Sequence, residues 1–298
     1  MDTERYLSNE EDLLRYCVEL TEEDTTLLMT YLCFDKRIQM LNQQYNMMQC
    51  TFDMIQDYYD IDANDVYKRK RRIGEFDDRI ALNVLVSNYL AMAKEFAESI
   101  EVFIKVHLEN EGAEFKKTYM STVYDKIFSY RFLQFIRNFS QHGDLSVSVR
   151  DGRCCFDLLQ IFHNEHYNFR EKKIVPELRR IIEEEGVNAR VAVILSLITQ
   201  LKCLHSIYIS LLECVRETAV ELQENLQSVF RKNKNAIVKH ESLPNGGIVF
   251  CHDDVAHVIK STTNVVCTIC NYRTAAVEHL KEVTYMLQRK LKEREYCD

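Results

Sequence analysis

Apolar residues recur every three or four positions along most of the chain, and that spacing predicts long amphipathic helices. Between residues 22 and 60, Leu27, Leu28, Tyr31, Phe34, Ile38, Leu41 and Tyr45 form one such stripe. Thr21 and Asp24 mark its start, and Ser8 with Glu11 makes an earlier capping pair. A second helix is predicted over 77–110, with Ile80, Leu82, Leu85, Tyr89, Met92, Phe96, Ile100 and Ile104 facing inward. Gly112 is expected to close it. A third runs from about 113 to His142, where Gly143 supplies the end cap.

The period then changes to two. "LSVSVRDGRCCFDL" alternates on both sides of Asp151 and Gly152, a pair suited to a tight hairpin turn. "KIVPELRRIIEEEG" reads as a short helix with Pro176 in its first turn. Asn188 is expected to cap a long helix over 189–233. Pro244, Asn245 and Gly246 are expected to form the turn of a second hairpin, and a last helix is predicted over 253–295. The fold class is thus mainly α: a long-helix bundle with two small β-hairpin insertions. Three parts are expected: an N-terminal helical arm at 1–62, a helical domain at 63–240 with its hairpin near 145–158, and a C-terminal hairpin and long helix at 241–298.

Composition narrows the picture. Hydrophobic residues make up 46% of the 298, enough for a sizeable core, while 7 glycines and 2 prolines argue against turn-rich β or doubly wound folds. A net charge of -8 disfavours a general nucleic-acid coat or a polybasic membrane binder. One local basic run stands out, Lys68, Arg69, Lys70, Arg71 and Arg72 in "YKRKRRIG"; it is either a solvated face or an RNA contact. The most apolar stretch, "VAVILSLITQLKCLHSIYISLLECV", is interrupted by Gln200, Lys202 and His205. It reads as a buried core helix rather than a membrane span. Met1 is followed by polar, acidic residues instead of a signal pattern, so a cytoplasmic setting is expected. The 11 cysteines sit mainly in helical patterns and read as small reduced core residues.

The candidate chemistry lies in "RFLQFIRNFSQHGDL". Asn138 and His142 are four residues apart and share a helix face, with Arg137 beside it. The carbonyls at a helix end favour an imidazolium on His142, poised for proton transfer near neutrality. An arginine next to it can clamp a phosphate or offset charge building on one. That pairing suits cleavage of an RNA backbone in which the 2′-hydroxyl attacks the adjacent phosphate.

"RNFSQH", Arg137 to His142, resembles the Arg-(Asn/Asp/His)-x-x-x-His signature of the HEPN superfamily, helical domains with the motif late in a long helix. The resemblance covers about residues 77–233. It implies a metal-independent endoribonuclease of toxin–antitoxin, phage-defence or RNA-processing type. Arg137 and His142 would be catalytic and Asn138 would orient them. It further implies a homodimer that pools two motifs at a two-fold axis, an RNA substrate, and room for a regulatory protein partner, with no cofactor and no metal.

Other groupings carry less. Cys267 and Cys270, with Cys251 and His252 upstream, could supply four zinc ligands, yet the pair sits in a helix without a knuckle and is expected in the core. His163 and His166 lack a third ligand and could instead line the groove of His142. Asp144 orients His142 or caps the turn. Glu183, Glu184 and Glu185 read as solvated, and Arg273 with His279 as a chance spacing. No phosphate loop, dinucleotide fingerprint or nucleophile elbow occurs. Two other readings stay open: a non-catalytic helical dimerisation or interaction protein, and an antitoxin-like regulator that touches nucleic acid through 68–72.

Overall fold

The computed structural model describes residues 16–60, 78–142, 144, 146–150, 153–164, 173–240, 243–253 and 255–295. The capping pair Ser8 and Glu11, the basic run 68–72, Gly143, the turn residues Asp151 and Gly152, and His166 lie outside them. In chain order the helices are α1 (Glu22–Asp60), α2 (Asp78–His107), α3 (Glu109–Phe115), α4 (Thr122–Lys126), α5 (Phe128–His142) and α6 (Leu158–Phe162). They continue with α7 (Val175–Glu185), α8 (Val193–Cys214), α9 (Arg216–Lys232) and α10 (Val265–Glu295). The strands are β1 (Val147–Arg150), β2 (Arg153–Asp157), β3 (Arg190–Ala192), β4 (Val238–His240), β5 (Leu243–His252) and β6 (Val255–Lys260). They form two antiparallel sheets, β1-β2-β3 and β4-β5-β6. The fold is mainly α with two small β insertions, as the periodicity predicts.

The chain divides into two compact units. One comprises residues 1–40 and 211–274, the other 41–210 and 275–298. In the first, Tyr31 and Gln223 fix the start of α10. The Tyr31 hydroxyl donates to Gln223 Oε1 at 3.2 Å, and the Val265 N–H is shared between those two oxygens at 3.0 Å each. Thr21 caps α1 as expected, its Oγ1 accepting from the Asp24 N–H at 3.1 Å. Its sheet carries the PNGG stretch, but within β5 and not in a turn. Gly246 has φ 82°, and a Cβ on Gly247 would meet the Ile259 carbonyl oxygen at 2.7 Å. These glycines serve an irregular strand pressed against its neighbour. The strand β6 also occupies part of the stretch expected to be helical from 253, so α10 begins only at Val265.

In the second unit the predicted helices hold with four corrections. Ile80, expected inward, is exposed, while Leu82, Leu85, Tyr89, Phe96, Ile100 and Ile104 are buried. Gly112 does not end a helix. It lies inside α3, and a Cβ there would meet Ile104 Cγ2 at 2.7 Å, so close packing is what demands glycine. The helix expected over 113–142 breaks at Ile127, which is extended (φ -101°, ψ 107°). There the Arg131 guanidinium takes up the end of α4, donating to the carbonyls of Tyr124 at 3.1 Å and of Asp125, and to Glu177 at 2.8 Å. Such a side-chain cap satisfies the carbonyls that a helix end leaves open. Last, Asn188 caps no long helix: β3 intervenes, and its Val191 pairs with Phe156 of β2.

By length and composition α8 alone among the described helices would suffice to cross a membrane, and 56% of its apolar window is buried inside the fold. That burial is the mark of a core helix.

Candidate active site

Helix α5 is sharply amphipathic. Phe132, Leu133, Ile136 and Phe139 are buried, and Phe132 meets Phe156 of β2 edge-on at 5.3 Å. This apolar face fixes the roll of the helix, and so fixes where its polar residues point. Arg137 and Asn138 fall on the flank and are half-buried. They line a cavity of about 60 Å³ between α2, α5 and α8, joined by Lys94, Tyr130, Gln134 and Gln200. Arg137 Nη1 donates to Asn138 Oδ1 at 3.1 Å, so the amide holds one arm of the guanidinium. Arg137 Nε is buried without a hydrogen-bond partner, and so is Gln200 Oε1. Burial pushes the Tyr130 phenol up to about 12, which keeps it a neutral hydrogen-bonding group. Lys94, the second cation, pairs with Glu98 one turn on at 3.0 Å.

His142 is the last residue of α5, where the sequence places it; its side chain lies outside the described residues. The chain beyond it is tied back firmly. Ser140 Oγ lies 2.9 Å from the Ile136 carbonyl oxygen and 3.0 Å from Ser146 Oγ. Asn83 of α2, 3% exposed, then clamps Val147 at the start of β1. Its Oδ1 accepts from the Val147 N–H at 2.8 Å, and its Nδ2 donates to the carbonyls of Val147 at 2.9 Å and Arg79 at 2.8 Å.

Removing that amide strands a buried N–H and a buried C=O. Asn83→Leu is therefore expected to destabilise the fold by about 2–4 kcal/mol, read as a lowered urea midpoint. A midpoint unchanged from wild type would show that β1 is held some other way.

The remaining candidates disperse. Cys267 and Cys270 are exposed, as are Cys33, Cys50 and Cys251, against the expectation of core cysteines. The cause is register: both Cys267 and Cys270 fall on the outward face of the first turns of α10, whose buried positions are Val265 and Ile269. Among the described residues no group of three or more His, Cys, Asp or Glu is arranged to hold a metal ion. His163 is exposed and its Nδ1 lies 2.6 Å from the Leu159 carbonyl oxygen of its own helix. Glu183, Glu184 and Glu185 are exposed, as expected of a solvated run. Arg273 pairs with Glu213, while His279 Nδ1 lies 2.8 Å from the Tyr45 hydroxyl.

Comparison of the chain with protein-family models, with curated proteins and with solved structures finds no match. Sequence reasoning missed Lys94, Tyr130, Gln134 and Gln200 as members of the cavity. Only Gln200 carried a signal: it is one of the few polar residues that interrupt the most apolar stretch of the chain.

Proposed function

We propose that this protein is a metal-independent, HEPN-like endoribonuclease of a toxin or phage-defence type, working as a cytoplasmic homodimer. Arg137 holds the scissile phosphate and offsets the charge that develops on it. His142 moves a proton, and Asn138 fixes the orientation of the guanidinium. The 2′-oxygen bonds to phosphorus and its proton leaves to a base; the bond to the 5′-oxygen breaks and that oxygen gains a proton. Both transfers are within the reach of imidazole chemistry near neutrality.

The observation that carries this reading is the cavity beside the motif. Arg137 and Asn138 bond to each other at its wall, and Arg137 Nε is left without a hydrogen-bond partner there. A helix-end residue with a purely structural task would spend that donor on a backbone carbonyl. The test is incubation of the purified chain with a diverse RNA pool in EDTA, beside DNA of the same sequences. Cleavage of RNA alone is expected, and inertness toward every RNA would remove the reading.

A second reading, a non-catalytic dimerisation or interaction protein, is favoured by one feature. Met40, Met47 and Met54, seven residues apart on α1, are each about half exposed (50%, 51% and 54%). A methionine stripe at that spacing suits contact with another helix. It is compatible with the nuclease reading, because a nuclease of this kind also needs a partner.

A further inference from the structure

Buried polar atoms are almost always bonded, so two that are not, facing one small cavity, call for an explanation. In this cavity one is a donor, Arg137 Nε, and the other an acceptor, Gln200 Oε1. Gln200 is 4% exposed, so its amide is shut off from bulk solvent. An unmet buried group of either kind destabilises a fold, so its place in the wall of a cavity calls for a ligand. The pair is complementary to a group that donates one hydrogen bond and accepts another. A cavity of about 60 Å³ has room for a hydroxyl, which meets both requirements at once.

We propose that Gln200 and Arg137 Nε grip a ribose 2′-hydroxyl of the bound strand, making Gln200 the residue that reads ribose beside the cleavage position. This rests on the nuclease reading and extends it. The hydroxyl donates to Gln200 Oε1 and accepts from Arg137 Nε. It belongs to a nucleotide flanking the scissile one, because the attacking hydroxyl must give up its proton and a primary amide cannot take it. The 2′-hydroxyl is the group by which proteins tell the two nucleic acids apart. A buried site built to bond a hydroxyl strongly rejects the analogue that lacks it.

The experiment compares two oligonucleotides of one sequence: all-RNA, and DNA with a single ribonucleotide at the mapped cleavage position. Both contain the attacking hydroxyl, and only the first contains its neighbours. The wild type is expected to cleave the all-RNA strand with a kcat/KM about 10–100-fold higher. Gln200→Met, which has no strong acceptor, cleaves both strands at the slower rate. Gln200→Glu keeps an acceptor and keeps the preference, which separates lost recognition from lost folding. Equal cleavage of the two strands by the wild type, or a preference that survives in Gln200→Met, overturns the proposal. Should the wild type cleave neither strand, binding of the same strands measured by fluorescence anisotropy decides. A preference for all-RNA that Gln200→Met abolishes keeps the grip while the nuclease reading falls. Equal binding of both strands overturns the grip as well.

Discussion

His142→Ala is expected to cleave RNA about 10²–10⁴-fold more slowly than the wild type, the range that a positioned acid or base contributes. Arg137→Ala is expected to lose about 10²–10³-fold, because the charge developing on the phosphate loses its fixed counter-charge. The His142 loss should fall mainly on kcat, since proton transfer belongs to the transition state, whereas Arg137, which also holds the bound strand, should lose in kcat and KM together. Neither variant should fold badly. The buried face of α5 is made by Phe132, Leu133, Ile136 and Phe139, and neither substitution touches it. Melting curves that overlay the wild type, with cleavage gone, would assign the loss to chemistry. Unchanged rates in both variants would clear Arg137 and His142 of any catalytic role.

Stability should fall steeply in mild acid because of a buried histidine that takes no part in that chemistry. His205 of α8 is fully buried, its ring 5.2 Å from Tyr45 and 6.0 Å from His279, and neither ring nitrogen has a hydrogen-bond partner. Burial, with a smaller effect of His279, holds it down to about 3. In the unfolded chain the same imidazole takes up its proton near pH 6.5. Between those two values the unfolded state binds one proton more than the native state, so acidification favours unfolding. The loss is about 1.4 kcal/mol per pH unit, starting near pH 6.5 and continuing toward pH 3; above pH 6.5 the group contributes nothing. Carboxylates titrate lower in the same window, so the informative comparison is with His205→Leu. Between pH 6.5 and pH 5 the wild type should lose about 2 kcal/mol more than the variant, measured by urea denaturation at each pH. Parallel losses in the two proteins would mean that His205 gains its proton without opening the core.

Helices bounded by local signals were legible in the sequence, and breaks made by distant side chains were not. The core stripe of α1 and its Thr21 cap follow from spacing and from a residue three positions away. The end of α5 at His142 is equally local. The break at Ile127 depends on Arg131 reaching both the end of α4 and Glu177, forty-six residues away from it in sequence. The pairing of β3 with β2 joins residues whose separation carries no pattern. Glycines misled for a similar reason. Gly112 and Gly247 look like punctuation, yet each is required by a neighbour at 2.7 Å that only the folded chain reveals.

The candidate site divides along the same line. Arg137, Asn138 and His142 sit in one hexapeptide, and a helix end beside a glycine could be read directly. Gln200 and Lys94 join Arg137 only because α2 and α8 pack against α5. The sequence marks Gln200 as one of the polar interruptions of an apolar stretch but says nothing of its neighbours. The exposed Cys267 and Cys270 show the converse error: composition suggested core, and helix register turned them outward.

The nuclease account stands or falls on the ends that cleavage leaves on RNA in EDTA. Attack by the 2′-hydroxyl must produce a 2′,3′-cyclic phosphate on one fragment and a 5′-hydroxyl on the other, and mass spectrometry of the fragments reads both. The account predicts those ends for the wild type and intact RNA for His142→Ala. Fragments bearing 5′-phosphate and 3′-hydroxyl ends, or fragments made equally by His142→Ala, would contradict it.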